Sequence, residues 1–203
     1  ANAALLPESG PDGFASGVIQ QECVRMSRLI GDLLLLASAD AESWAVTLEP
    51  LELDTLLLNL YESYAPLYRK NSCILTLALP DYSLPKAAGD SERLRQVLGI
   101  LLENAMAYGV TEEQRTVELG VFCQRGKAVV CVSDHGIGLS AEQKMRVFDR
   151  FYRVDTARKE KQHFGLGLSI AKELTALQKG VLDVMDTPGG GCTFRLQLPI
   201  VKQ

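Results

Sequence analysis

Two kinds of hydrophobic spacing divide the chain. After the turn-rich PESGPDG at residues 7–13, a helical pattern runs from about Phe14 to Ala41, in which Ile19, Cys23, Met26, Ile30, Leu33 and Ala37 recur at steps of 4, 3, 4, 3 and 4. That spacing is the seam of a helical bundle or coiled coil. Leu29, Leu34, Leu35 and Leu36 widen the apolar face, and a lone helix with so broad a face needs a partner helix, from a second copy or from its own chain. A homodimer through residues 14–41 is therefore expected. The competing reading folds this helix onto the domain that follows.

Beyond Trp44 the period changes. VTLEPLEL reads as a strand, Asp54 to Lys70 as a helix and CILTLAL as a strand, before the linker PDYSLPKAAG. Asp90 or Ser91 can cap a helix whose Leu94, Val97, Leu98, Leu101, Ala105 and Tyr108 keep the 3.6 period, with Gly109 as its stop. TVELGVFCQ and KAVVCVSD form a hairpin about the turn Arg125-Gly126, and the second strand runs into the loop HGIGLS. A short helix from about Ala141 leads into FDRFYR. After a basic stretch, GLGLSIAKELTALQ reads as a helix, and VLDVMD, TPGGG and CTFRLQLPI as a closing hairpin. This order predicts an α+β fold, a sheet covered by helices on one face.

Three places carry candidate chemistry. Asn104, near the end of an apolar helix face in LLENAMAYG, can lend a carbonyl oxygen to Mg²⁺, which takes one or two protein oxygens and completes its shell with phosphate and water; it can equally hydrogen-bond locally. Asp134 ends an apolar strand ahead of Gly136 and Gly138. A buried carboxylate accepts hydrogen bonds, so it suits the exocyclic amine of adenine and repels the oxygen guanine presents there, while the glycines admit a flat base or a positive φ; an ordinary turn is the plainer reading. Gly165 and Gly167 open a helix in GLGLSIAK, where free N–H groups and the positive end of the helix dipole favour phosphate. Neither glycine pair has the dinucleotide-binding spacing, and no P-loop lysine motif is present. Between these loops Arg150, Arg153, Arg158, Lys159 and Lys161 outnumber Asp155 and Glu160, a composition that fits either a solvated loop or a lid closing over a γ-phosphate. Phe148, Phe151 and Tyr152 read as core anchors at its hinge.

Taken in order, LLENA, DHGIGL, VFDRFYR, GLGLSIAK and PGGGCTF resemble the N, G1, F, G2 and G3 boxes of the sensor histidine kinase catalytic domain, over residues 44–203. QECVRMSRLIGDLLLLAS resembles the second helix of that family's dimerisation and phosphoacceptor hairpin, which makes residues 1–43 its remnant. The resemblance implies a two-layer α/β sandwich of the Bergerat type, a mixed sheet with helices on one face, holding ATP and Mg²⁺. It assigns Mg²⁺ to Asn104, the adenine amine to Asp134, the base to Gly136 and Gly138, and the phosphates to Gly165 and Gly167, with Leu166, Leu168 and Tyr108 as further nucleotide-binding residues. Arg153 and Arg158 match γ-phosphate-contacting lid arginines. It also implies a response regulator as partner and a parent protein that is a membrane sensor with this part in the cytoplasm. Phosphoryl transfer of this kind depends on positioning and charge.

Three departures stand against that pattern. The only histidines, His135 and His163, lie in the nucleotide-site loops, so the phosphoacceptor is expected to lie outside a truncated chain that binds ATP without phosphorylating itself. Ile100 stands one turn before Asn104, where relatives place a second Asn, or a glutamate base in related ATPases; slow hydrolysis follows. Glu103 is turned about 100° from Asn104 on the helix. Ala107 replaces a lysine directed at the phosphates in many relatives. An anti-sigma-type serine kinase and a degenerate nucleotide-sensing or partner-binding module without kinase activity are the alternative readings.

Composition adds limits. The 203 residues, 47% apolar, suffice for one well-buried domain with a smaller appendage. A formal charge of −4 brings no global attraction to nucleic acid or an anionic membrane. No stretch reaches the roughly 18 apolar residues of a membrane span. Cys23, Cys73, Cys123, Cys131 and Cys192 are too widely spaced for a zinc site and read as reduced core thiols.

Overall fold

A computed structural model describes Cys23, Met26, Ile30, Gly31, residues 46–154 and residues 164–201. The chain divides into two compact units, Ala1–Glu42 and Ser43–Gln203. In the first, Cys23, Met26, Ile30 and Gly31 are helical, and Cys23, Met26 and Ile30 are exposed. Cys23 is thus no core thiol, against the expectation for the five cysteines. Cys73 and Cys192 are buried, and Cys123 and Cys131 partly so.

The second unit is a five-stranded mixed sheet in the order β2-β4-β5-β7-β6, with β2 (Ile74–Ala78), β4 (Thr116–Gln124), β5 (Lys127–Ser133), β6 (Val181–Asp186) and β7 (Cys192–Pro199). Only the β2–β4 pair is parallel. Strand alternation selects the core. Leu119 pairs with Val132, Val132 with Phe194, and Val184 with Phe194, so one sheet face carries Val117, Leu119, Val130, Val132, Phe194 and Leu196, all buried. The other face carries Cys131, Arg195 and Asp183 in register, with Glu118 two residues along, opposite Ser133. There Arg195 holds Asp183 through two hydrogen bonds, Nε–Oδ1 at 2.7 Å and Nη2–Oδ2 at 3.1 Å.

Helices cover the apolar face. α1 (Leu53–Lys70) packs on β2 and β4, α2 (Ser91–Tyr108) on β5, and α4 (Gly167–Leu177) on β6 and on α2, while α3 (Ala141–Arg146) is a short helix with no buried residue. The helix α2 starts where Asp90 caps it, its carboxylate accepting from the N–H groups of Glu92 and Arg93. Its periodic positions Leu94, Val97, Leu98, Leu101 and Ala105 are fully buried, each leucine contributing about 1.5–3 kcal/mol by leaving water. Gly99 leaves room for Tyr64, whose hydroxyl would lie 2.8 Å from a Cβ there, and the fully buried Tyr68 donates its hydroxyl proton to Leu102 O at 2.7 Å.

The strand expected over VTLEPLEL is only β1 (Glu49–Leu51). It pairs antiparallel with β3 (Ala87–Gly89), inside what reads from sequence as linker. The reason is tertiary: Ala87 also bridges to Ile200, so β3 is held from two sides although its residues show no strand alternation.

Candidate functional site

The site is built where β5 ends against the C-terminus of α2. Asp134 follows the last residue of β5 and is only 5% exposed. Its Oδ1 accepts the N–H groups of Gly136 and Cys192, both at 3.0 Å, and its own N–H donates to Cys192 O at 2.9 Å. Among the described residues Oδ2 accepts no hydrogen bond. Burial raises the Asp134 pKa above its ordinary value of 3.8, opposed by the two backbone N–H groups and by His135.

Glycines make this approach possible. A Cβ on Gly109 would lie 2.4 Å from the Asp134 Cβ, and one on Gly136 would lie 2.5 Å from Tyr108 O. Gly136 thus serves the contact between loop and helix end, more directly than the approach of a flat base expected from sequence. Gly138 has φ +70°, and a Cβ there would make only ordinary contact with the Gly191 backbone, 3.6 Å from its O, so its conformation is what requires glycine. On the far side Gly191, with φ +91°, presses its backbone on Asp134, and a Cβ there would stand 2.2 Å from Asp134 O. Gly109 and Gly191, by sequence a helix stop and part of a turn, are structural parts of the site. A cleft opens beside the strand exit, lined among others by Ile137, Leu139, Gln143, Val154 and Gly190. Lys144 pairs with Asp186 at 2.5 Å across its rim.

The helix α2 carries Ile100, Asn104 and Tyr108 at steps of four, one stripe along one side. Tyr108 abuts Gly136 at one end, and Ile100 reaches Gly167 at the other, its Cγ2 3.2 Å from where a Cβ of Gly167 would be. Asn104, half-buried, therefore lies between the Asp134 loop and the start of α4. Among the described residues its side chain has no hydrogen-bond partner. Glu103 is exposed and is directed to α1, where its charge adds to burial in raising the Tyr64 pKa.

Gly167 begins α4 and no side chain caps that helix start, which leaves first-turn N–H groups available. Leu166 is buried, Leu168 and Gly165 half-buried. Gly165 takes φ +75°, and a Cβ there would meet Tyr152 O at 2.7 Å and Arg153 Cγ at 3.2 Å. Phe151 N–H donates to Gly165 O at 2.9 Å, so the segment carrying Arg153 is fixed beside the α4 N-terminus. Arg153 itself is exposed. Arg158, Lys159, Lys161 and His163 lie outside the described residues, and with them most of the expected lid.

The anchor expectation is corrected in part. Phe148 packs edge-on against Phe194, centroids 6.2 Å apart, with Lys172 over its face. Phe151 instead is 61% exposed with φ +65°, because its backbone is committed to Gly165. Tyr152 is half-buried under the Arg146 guanidinium, 4.6 Å from its ring centroid.

A mixed sheet with helices on one face, a buried carboxylate at a strand exit and a glycine-lined cleft beside the loop that follows it are the frame of a nucleotide-binding ATPase domain. The chain belongs to the family of histidine kinase-, DNA gyrase B- and HSP90-like ATPases, whose model matches residues 89–202, and within it this is the ATP-binding catalytic domain of a sensor histidine kinase. The chain is 41% identical over 112 residues to the sensor protein CiaH of Streptococcus pneumoniae, covering 55% of this chain and 25% of that protein. To the sensor protein SrrB of Staphylococcus aureus it is 33% identical over 187 residues, 90% of this chain and 31% of that protein. The chain thus spans about a third or less of the length of these relatives. Among solved structures it is similar to full-length ShkA in complex with AMPPNP (TM-score 0.79, 25% identity, 96% of this chain and 40% of that one). The fold is shared with the Acinetobacter baumannii histidine kinase AdeS (TM-score 0.72, 18% identity, 98% of this chain and 89% of that one).

Proposed function

We propose that this chain holds Mg²⁺-ATP between α2, the Asp134 loop and the start of α4, and passes the γ-phosphoryl to a histidine that is neither His135 nor His163. The observation that carries the reading is Asp134: a carboxylate fixed through Oδ1 by two backbone N–H groups, with a buried second oxygen left to accept from a ligand amine. A buried acceptor without a donor costs free energy in the empty protein, and a ligand donor removes that cost. Gly136 lets the loop pack on the end of α2, Gly138 supplies the positive φ of the turn beside the base, and Gly165, Leu166, Gly167 and Leu168 offer amides to phosphate at the α4 N-terminus.

Asn104 fits a cation held mainly by phosphate. It supplies one carbonyl oxygen, it lies between the two loops, and among the described residues no group of three or more His, Cys, Asp or Glu competes for a metal. When bound, Mg²⁺ neutralises phosphate charge; Asn104 orients it, and Arg153 with Arg158 steadies the transferring group. Ile100 beside Gly167 presents a methyl group in place of a base, consistent with slow hydrolysis by water.

The same reading pairs two copies through residues 14–41, with the exposed Met26 and Ile30 on the seam. It takes residues 1–43 as the remnant of the helical hairpin and 44–203 as the catalytic domain. It supplies the phosphoryl group ultimately to a response regulator, and sets the chain on the cytoplasmic side of a membrane sensor. Among the described residues no helix is long and apolar enough to cross a membrane.

Calorimetric titration of ATP and GTP, each with and without Mg²⁺, tests the site. ATP binding strengthened by Mg²⁺ and weak or absent GTP binding is expected; equal binding of both purines would remove the role given to Asp134. Incubation with radiolabelled ATP should leave no stable label on the chain.

A further inference from the structure

Asp90 makes more contacts than a helix cap requires. Its Oδ1 accepts from Glu92 N–H at 3.0 Å and Arg93 N–H at 3.1 Å, the ordinary capping pair for α2. Its Oδ2 accepts from Thr47 N–H at 3.2 Å, forty-three residues earlier. Its own N–H donates to Gln178 Oε1 at 2.9 Å. Gln178 is fully buried and caps the far end of α4, with Nε2 on Leu174 O at 3.1 Å. The junction is tightly packed: a Cβ on Gly89 would stand 3.1 Å from Gln178 Oε1, so that side chain would have to give by a few tenths of an ångström. One residue therefore joins three things: the chain as it enters the second unit, which begins at Ser43, the start of α2, and the end of α4.

Those two helices form the walls of the proposed nucleotide cleft, α2 through Asn104 and α4 through its first turn. They are also packed directly on each other. A shift of residues 46–48 that stretches the Thr47 bond pulls on Asp90, and through it on both helices at the ends opposite their ligand-binding parts. A helix is stiff along its axis, so displacement at one end appears at the other.

We propose that Asp90 is a positioning residue for the nucleotide site, and that its hydrogen bond from Thr47 lets the chain entering from the N-terminal unit adjust the fit between α2 and α4. The regulation rests on the nucleotide reading given above; the mechanical link does not. Two substitutions separate the link from simple capping. Asp90→Asn retains a good cap, but with its oxygen on Glu92 and Arg93 it turns an NH₂ donor toward the Thr47 N–H. Thr47→Pro removes that N–H and leaves Asp90 intact.

The test uses the full chain, with two readouts. Amide hydrogen exchange without nucleotide should show faster exchange at the first turn of α4 and around Tyr108–Gly109 in both variants, with the first turn of α2 unchanged. Affinity for a nonhydrolysable ATP analogue should fall between about 3- and 30-fold in each, and no further in the double variant. A purely structural cap predicts that Asp90→Asn behaves as wild type, and that result overturns the proposal. So does loss of affinity in Asp90→Asn with Thr47→Pro unaffected, or additive losses in the double variant. Failure of the unmodified chain to bind any nucleotide sinks the function proposed above and the regulatory claim with it, while the exchange pattern still decides the link.

Discussion

Asp134→Asn isolates the base-reading atom with little disturbance to the fold. An asparagine in the same rotamer keeps an oxygen on the N–H groups of Gly136 and Cys192, both 3.0 Å from Oδ1, and puts an NH₂ in the place of Oδ2, the oxygen proposed to accept from the base. An acceptor becomes a donor. A hydrogen bond to a charged group contributes about 1.5–3 kcal/mol, so ATP affinity should fall roughly 10- to 150-fold at neutral pH, while GTP, which offers an oxygen at that place, gains. Isothermal calorimetry reads both.

The pH dependence supplies an independent check. Burial holds the folded pKa of Asp134 above its ordinary value, so the folded protein binds this proton at pH values where the unfolded chain has lost it. This group therefore opposes folding: the penalty grows as pH rises from the ordinary carboxylate pKa through the raised folded one, and is complete above that. The asparagine variant escapes it and should be at least as stable as wild type at pH 7 by urea denaturation, an advantage that shrinks toward acid. ATP affinity of the wild type should weaken as pH falls through the raised pKa, whereas the variant's should stay flat there. If the variant binds ATP as tightly as wild type and GTP no better, Asp134 does not read the base.

Other substitutions probe the frame. Gly191→Ala forces a Cβ to within 2.2 Å of Asp134 O at φ +91°; left-handed strain and overpacking together cost about 2–5 kcal/mol, which urea midpoints at unchanged slope would report along with lost ATP binding. Tyr68→Phe leaves Leu102 O without its buried partner and should cost about 1–2 kcal/mol by the same assay, with nucleotide affinity unaltered. Asn104→Ala should abolish the gain in ATP affinity that Mg²⁺ brings while sparing metal-free binding; a variant that keeps the full Mg²⁺ effect would exclude Asn104 as the ligand.

Much of this architecture is legible in the amino-acid sequence. The 3.6 period from Leu94 to Tyr108, the cap at Asp90, both hairpins and the ordered motifs around Asn104, Asp134 and Gly165 are local signals, each set by residues a few positions apart. Their periods and turn chemistry leave few alternatives. Hence the family and the cleft-forming loops followed from the chain itself. Long-range geometry was different. β3 (Ala87–Gly89) exists because β1 and Ile200 lie beside it. Gly109 and Gly191 matter because each meets Asp134 across a distance in sequence, and Phe151 is turned outward because Gly165 holds its backbone. The junction of Thr47, Asp90 and Gln178 spans 131 residues of chain. Local pattern determines which segments become helices, strands and turns; which backbone atoms then crowd one another, and which polar atom is left without a partner, depends on contacts that only the packed sheet and helices create.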